Sequence, residues 1–240
     1  NSIRIYGNGG GMLPRENSKF RHDDLVENAI EILDKNNNNL FENGDLILFY
    51  GEDVDQWDPY DNDIGKYHYS KHLYDDNNYY FLTINSSNSP KRINSYITTL
   101  GSNTEFSEIV NSHEHHEEDL VNFIQSGEDW YGEVFDADLT QSFVFSFPNI
   151  VNNSDVYINT GVAARAFSPS SFTFNYNNNE IMTVPLSNVV GGFETDYATI
   201  FSSSGEFQSS SDLIDIEVTF NRNSSSHKGW LDYIELCGFR

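Results

Sequence analysis

The 240-residue chain carries 37 acidic and only 13 basic residues, which gives a formal net charge of −24 at pH 7. Hydrophobic residues make up 38% and aromatic residues 15% of the chain, which is enough apolar material for folded domains and too many aromatics for an acidic disordered chain. The charge argues against nucleic acid and anionic membrane surfaces as partners, since both attract Lys and Arg. No apolar run approaches the roughly 20 residues of a membrane span, so membrane insertion is not expected.

The N-terminal part mixes signals for strands and helices. An alternating segment at 2–6 predicts a strand, and the glycines that follow it predict a turn. Apolar residues at helical spacing predict a helix at 23–33, and Asp24 with Glu27 resembles a capping box at its start. The short apolar run at 45–50 predicts a buried strand.

The next segments continue this mixture. Residues 52–78 are acidic and aromatic with few aliphatics, which favours a long ordered loop, and 79–84 again have strand character. Residues 113–126 place acids ahead of apolar residues and predict a helix, because acids are favourable at a helix N-terminus. Gly127 would end this helix.

From residue 140 onward the apolar pattern has a period of two. Phe143, Phe145 and Phe147 alternate with other residues, and similar runs recur up to the C-terminus, each ended by Pro, Gly, Asn or Ser. Short strands at regular spacing indicate an antiparallel β-sandwich of jelly-roll type. The predicted fold class is mainly β with a few helices (α+β), with a mixed domain at 1–138 and the sandwich at 139–240.

One loop has the spacing of a calcium site. Oxygen-bearing side chains occupy loop positions 1, 3, 5, 9 and 12, as calcium requires: Asp34, Asn36, Asn38, Glu42 and Asp45. Position 6 holds Asn39 instead of the usual glycine, and Asp45 has a shorter arm than the usual glutamate. A structural calcium ion and an ion-free, Asn-rich connection are both compatible with this pattern.

Other chemistry-bearing residues do not form a recognisable site. The cluster His113-Glu-His-His-Glu117 does not match the H-E-x-x-H zinc motif and has no identifiable fourth ligand, so a solvated helix start is favoured over a zinc site. Cys237, the one cysteine, excludes an internal disulfide and lies in an apolar strand pattern without an evident base, so no catalytic residue is expected here. Four aromatic side chains are candidates for stacking on sugar rings: Trp57, Tyr60, Trp130 and Tyr131.

Several motifs, in this order, resemble the region ahead of the peptidase domain in the PorU-type sortases of the type IX secretion system, a family of gingipain-like cysteine peptidases. The resemblance spans nearly all of the chain, and its motifs are I-Y-G-N-G-G-G-M-L-P at 5–14, D-D-L-V-E-N-A-I at 23–30, G-D-L-I-L-F-Y-G at 44–51, Y-Y-F-L-T at 79–83 and S-G-E-D-W-Y-G-E at 126–133. The closing G-W-L-D-Y-I-E at 229–235 is similar to the strand after which the catalytic domain of that family begins.

This resemblance implies that the chain is a non-catalytic front portion, with the catalytic His and Cys in a domain downstream. The whole protein would remove the C-terminal sorting domain from secreted cargo at the outer-membrane surface and attach the cargo to anionic lipopolysaccharide. Its partners would be the peptidase domain in cis, the outer-membrane barrel protein PorV and the cargo, and no cofactor would be required. An extracellular carbohydrate-binding or protein-interaction module is the alternative.

Overall fold

The computed structural model describes residues 2–60, 65–86, 88–95, 107–125, 127–192 and 195–240. Every helix or strand in these ranges is a β-strand, so the fold is all-β and the prediction of a few helices was wrong. None of the described segments is a helix long and apolar enough to span a membrane. The strands are β1 (Ile3–Tyr6), β2 (Glu27–Asn28), β3 (Ile30–Leu33), β4 (Leu46–Phe49), β5 (Gln56–Pro59), β6 (Tyr67–Ser70), β7 (Phe81–Ile84), β8 (Asn111–Glu117), β9 (Val134–Phe135), β10 (Thr140–Ser146), β11 (Ser154–Arg165), β12 (Ser170–Tyr176), β13 (Asn179–Leu186), β14 (Thr199–Ser209), β15 (Leu213–Asn221) and β16 (Lys228–Phe239).

The chain divides into two compact units. The first comprises Asn1–Trp57 and Ser70–Glu105, and the second comprises Asp58–Tyr69 and Phe106–Arg240. This division differs from a boundary near residue 138, because β8 and β9 both pair with β16 and therefore belong to the second unit. A short segment from the N-terminal half, Asp58–Tyr69, also belongs to the second unit.

The segment predicted as a helix at 23–33 forms β2 and β3 instead. Residues 30–33 read Ile-Glu-Ile-Leu, and their β-branched alternation pairs with β4 in antiparallel register. Glu27 does not close a capping box, since its carboxylate accepts a hydrogen bond from Arg4 at 2.7 Å. The apolar spacing of this segment fits both the period of a helix and the period of a strand. Cross-strand pairing therefore decides its structure.

The first unit contains small sheets with little buried apolar surface. One sheet has the order β2-β1-β7, while β3 and β4 form a two-stranded sheet. The strands predicted at 2–6, 45–50 and 79–84 are confirmed as β1, β4 and β7. However, β4 is not buried: Leu46 and Leu48 are 55% and 44% exposed, because β3 is its one partner strand among the described residues.

The second unit contains two antiparallel sheets that share one apolar core, the arrangement of a β-sandwich. One sheet has the order β10-β15-β12-β13, and the other is five-stranded, with the order β14-β11-β16-β8 and with β9 also paired to β16. The core takes side chains from both sheets, including Phe145, Phe172, Phe220, Ile158 and Ile234. The predicted alternation of Phe143, Phe145 and Phe147 is confirmed, since these three are buried while Val144 is 63% exposed.

The segment predicted as a helix at 113–126 begins with β8, an edge strand of the five-stranded sheet. Its register pairs His115 with Glu235 and His113 with Cys237. The segment predicted as a loop at 52–78 contains β5 and β6, which pair as a hairpin. In both places polar and aromatic side chains occupy strands because a neighbouring element covers them, a tertiary effect that local sequence does not encode.

Candidate functional site

The side of the five-stranded sheet that faces away from the core carries an unusual set of polar side chains. Ile234 and Leu236 of β16 point into the core, so the residues that alternate with them point to the opposite face. The register places side chains of β11, β16 and β8 beside one another on this face: Tyr157, Asn159, Tyr233, Glu235, Cys237, His113, His115 and Glu117. Three residues from β6 and the position after β5 contact this polar face: Tyr60, His68 and Tyr69.

Glu235 is the centre of these contacts. The residue is 1% exposed, and its carboxylate oxygens accept hydrogen bonds from the backbone N–H of Tyr69 at 2.8 Å and from Nδ2 of Asn159 at 2.7 Å. Nδ1 of His68 lies 2.7 Å from Oε1 of the same carboxylate. Since an ionised carboxylate without partners would be very costly at this depth, these three contacts compensate its burial.

The neighbouring groups respond to this carboxylate. The hydrogen bond to Glu235 raises the pKa of His68, although burial opposes the shift. Burial, with the Glu235 charge as the second cause, raises the pKa of Tyr233 to about 12 and also raises the pKa of Tyr60. Both tyrosines therefore stay protonated near neutral pH.

Aromatic contacts extend the same attachment along the hairpin. The ring of Tyr69 stacks on His115 with centroids 3.5 Å apart, and the ring of Tyr67 lies 5.0 Å from that of His113. On the opposite face, His116 hydrogen-bonds Glu133 at 2.8 Å. Strand alternation thus separates His116 from His113 and His115, and among the described residues no three His, Cys, Asp or Glu side chains are placed to hold a metal ion.

Cys237 has the properties of a structural thiol. It is 2% exposed, and its sulfur accepts a hydrogen bond from the backbone N–H of Tyr67 at 3.3 Å. Burial raises the pKa of the thiol to about 11, whereas catalytic thiols are accessible and have lowered pKa values. These observations favour the prediction that Cys237 is not a nucleophile.

The five predicted calcium ligands all lie in the connection between β3 and β4, although their three carboxylates do not form a group placed to hold a metal ion. Asp34 accepts backbone N–H bonds from Asn36 and Asn39, and Asp45 accepts them from Lys35 and Glu42. These two backbone hydrogen bonds lower the pKa of the Asp45 carboxyl group, and the bond from Lys35 has the larger effect.

The other three predicted ligands contact one another, because Asn36 and Asn38 both bind Glu42. Nδ2 of Asn36 and Nδ2 of Asn38 donate to Oε2 of Glu42 at 2.9 and 3.0 Å. Asn39, at the position where such loops usually carry glycine, has φ of 65°, in the left-handed region that Asn tolerates better than other side chains. The departure from glycine at this position is therefore compatible with the loop conformation, and calcium binding stays a prediction.

The predicted sugar-stacking residues are mostly unavailable. Tyr131 is 3% exposed and stacks on Phe123 at 4.2 Å, and Trp57 and Tyr60 are partly buried. Trp130 is 46% exposed and lines a groove of about 440 Å³ together with Leu120, Val121 and Gly127.

Sequence reasoning missed Glu235 and His68. The available signal was an acid inside an otherwise apolar strand, W-L-D-Y-I-E-L-C, since an acid at such a position is tolerated only with partners. The identity of those partners was not predictable, because His68 is 167 positions away in the chain.

These features define an all-β module in which a hairpin segment is fixed onto the polar face of a sandwich sheet. A solved structure with this fold is dimeric latent PorU from Porphyromonas gingivalis, with a TM-score of 0.73 and 20% identity over 100% of this chain and 22% of that chain. The predicted resemblance to PorU is confirmed at the level of the fold. The chain spans about a fifth of the PorU chain that it matches.

Other comparisons give weaker or no matches. The carbohydrate-binding module CBM36 in complex with calcium and xylotriose has a TM-score of 0.32 and 11% identity, over 53% of this chain and 98% of that one. A module from Cellvibrio mixtus lichenase 5A in complex with cellotriose has a TM-score of 0.25 and 14% identity, over 44% and 89%. These scores are too low to support an argument. No protein-family model and no curated protein match the chain.

Proposed function

We propose that this chain is a non-catalytic portion of a PorU-like protein, a gingipain-like cysteine peptidase that acts as a type IX secretion sortase. The observation that carries the proposal is the fold match, which includes the whole of this chain but only 22% of the PorU chain. In PorU, the matching segment is therefore one part of a much longer chain. The burial of Cys237 and the use of Glu235 and His68 in holding a hairpin segment agree with an accessory role.

In this proposal the catalytic His and Cys belong to a peptidase domain that follows in cis. The parent protein removes the C-terminal sorting domain of secreted cargo and attaches the cargo to the cell surface. It works at the outer-membrane surface, with the barrel protein PorV as a partner. The present chain scaffolds the peptidase domain or provides a docking face, and it needs no cofactor for that role.

We also propose that the Asp34–Asp45 loop holds a structural calcium ion. The five oxygen-bearing side chains and the left-handed Asn39 support this proposal. The ion would fix the connection between β3 and β4 without taking part in a reaction.

The accessory role is tested with the protein encoded by the full reading frame around this chain, expressed with and without residues 1–240. We expect the full protein to cleave cargo, and we expect the shortened protein to lose cargo processing in cells more than cleavage of a short peptide. A reading frame that encodes no peptidase domain would contradict the proposal. Equal cargo processing by both forms would contradict the scaffolding and docking role.

A further inference from the structure

Among the residues that the structure describes, the first half of β14 forms an edge of its sheet. β14 lies at one end of the sheet order β14-β11-β16-β8, and β11 is its one hydrogen-bonded partner among the described residues. In the second half of the strand, Phe207 and Ser209 are buried, but Ile200, Phe201, Ser202 and Ser204 in the first half are exposed. The open edge therefore consists of Thr199–Ser204, about 20 Å of strand.

Large apolar side chains stand on both faces of this edge. Ile200 is opposite Ala163 and Phe201 is opposite Val162 on the neighbouring strand, so the two side chains point to opposite faces of the sheet. They are 53% and 48% exposed, whereas Ala163 and Val162 are completely buried. An additional strand on this edge would cover both side chains.

The edge has none of the features that normally prevent strand addition. Residues 197–205 read Y-A-T-I-F-S-S-S-G, without a charge or a proline, in a chain of net charge −24. Edge strands are usually protected by Lys, Pro or a bulge, and the register of β14 with β11 is regular throughout.

The surroundings of the edge indicate the charge of the added strand. A groove of about 860 Å³ beside Thr199 and Ile200 is lined by Asp129, Asp196 and the 83%-exposed Val190. Two copies of this chain, each with a net charge of −24, would repel each other. The acidic side chains at the edge itself are Asp129 and Asp196, at the end where Arg165 binds the carbonyl of Tyr197, whereas Glu206 at the other end pairs with Lys66 at 3.0 Å. A segment with an apolar, β-branched stretch and a Lys or Arg at the Asp196 end is complementary to it.

We propose that the Thr199–Ser204 edge docks an extended basic segment of a partner protein by β-strand addition. Backbone hydrogen bonds to the edge would supply affinity, and the groove and its two aspartates would select an apolar side chain next to a basic one. The proposal specifies the docking face and rests on the docking role proposed above.

The test uses the 240-residue chain and a synthetic peptide, Lys-Thr-Val-Thr-Val-Thr-Val, with binding followed by NMR titration of the protein amides. We expect dissociation constants of about 10 to 1,000 µM and shifts centred on Thr199–Ser204. A peptide with Glu in place of Lys should bind at least about tenfold more weakly. A peptide with N-methylated alternate residues should not bind, because it cannot complete the ladder.

A matched pair of variants separates edge pairing from general hydrophobic contact. Ile200→Lys places a positive charge on the edge strand, whereas Leu213→Lys places one on β15, an interior strand of the other sheet, at a side chain that is 61% exposed. We expect Ile200→Lys to abolish peptide binding and Leu213→Lys to leave it unchanged. If Ile200→Lys does not fold, Ser202→Lys tests the same edge at an exposed polar position.

Three results would overturn the proposal: no peptide binding at millimolar concentration, equal effects of the two variants, or shifts centred elsewhere. Reversible dimerisation that Ile200→Lys removes would assign the edge to a second copy and would also overturn it. A failure here leaves the accessory role intact, because the comparison of the full reading frame with its shortened form measures that role separately.

Discussion

Nδ1 of His68 lies 2.7 Å from Oε1 of Glu235, and these residues are 167 positions apart in the chain. The Glu235 side chain is 2% exposed and the His68 side chain 46% exposed. The contact therefore joins a buried carboxylate of the sheet to a solvent-accessible imidazole of the hairpin. It closes a long loop, and its strength depends on the protonation of one histidine.

We predict that the contribution of His68 to stability decreases at high pH. Its hydrogen bond to Glu235 raises the pKa of His68 above its usual 6.5 in the folded protein. The stabilisation is therefore fully present below pH 6.5 and is lost as the pH rises through the raised folded value. Thermal unfolding of wild type and His68→Gln from pH 5.5 to pH 9 measures this difference.

The control for this experiment is His22→Gln, which changes an exposed histidine of the first unit. We expect the stability difference between wild type and His68→Gln to shrink with increasing pH, and that for His22→Gln to stay flat. A His68→Gln difference that grows with pH would contradict the assigned contact.

We predict that Cys237 reacts slowly with thiol reagents in the folded protein. Burial raises its pKa from 9.0 to about 11, so the thiolate fraction at pH 8 falls by about 100-fold relative to an unperturbed thiol. Burial of the sulfur slows the reaction further. The measurement compares modification rates of native and urea-unfolded protein, and similar rates would show that the thiol is accessible.

We predict that two glycines of the sandwich differ sharply in their tolerance of alanine. A Cβ at Gly229 would lie 2.5 Å from Cζ of Phe172 and 2.9 Å from Cδ2 of Phe220, inside the packed core. Gly229→Ala should therefore destabilise the protein by about 1–3 kcal/mol. A Cβ at Gly205 would meet no atom closer than 3.6 Å, so Gly205→Ala should change the unfolding free energy by less than about 1 kcal/mol.

Urea unfolding of the two variants checks this prediction, with each compared with wild type at the same pH. A Gly229→Ala variant as stable as Gly205→Ala would mean that the Phe172 and Phe220 rings can move aside, and that the core here is less tightly packed than the contacts indicate.

We predict that calcium stabilises the wild-type chain. At a tenfold to hundredfold excess of calcium over the dissociation constant, the gain in unfolding free energy is roughly 1.4 to 2.7 kcal/mol. Asp34→Ala should lose this increment, while Asp215→Ala, which removes an exposed aspartate of β15, should retain it. The comparison uses the gain in stability on adding calcium and not the stability without calcium. Asp34 also accepts two backbone hydrogen bonds, so Asp34→Ala lowers the stability of the calcium-free protein as well.

Melting temperatures with and without calcium, with magnesium as the competing ion, give this increment directly. The absence of a shift at 10 mM calcium, a concentration at which even weak extracellular sites are largely filled, would leave the loop as an ion-free connection.

The sandwich was predictable because its strands carry their own information. Phe143, Phe145 and Phe147 alternate strictly, and a one-residue shift would expose all three, so pattern and structure agree. The two predicted helices failed for a different reason. Ile30 and Leu33 fit a helical stripe, whereas Ile30 and Ile32 fit one face of a strand, and pairing with β4 decides between the two.

The candidate sites show the same division between local and long-range information. The Asp34–Asp45 loop was recognisable because its polar residues lie within a stretch of the chain short enough to read as a spacing. The contacts of Glu235 were not, since they join β16 to β11 and to the β5–β6 hairpin. The open edge of β14 was equally hidden, because an edge is a property of the sheet order and not of the strand.

The central claim, that this chain is an accessory portion without a reaction centre of its own, is tested most directly by a thiol-dependent proteolysis assay on the purified 240-residue chain. The full protein encoded by the same reading frame is assayed beside it on a fluorogenic peptide panel and on cargo. The account predicts no turnover by the isolated chain and thiol-dependent cleavage by the full protein. Turnover by the isolated chain that disappears in Cys237→Ser would contradict it.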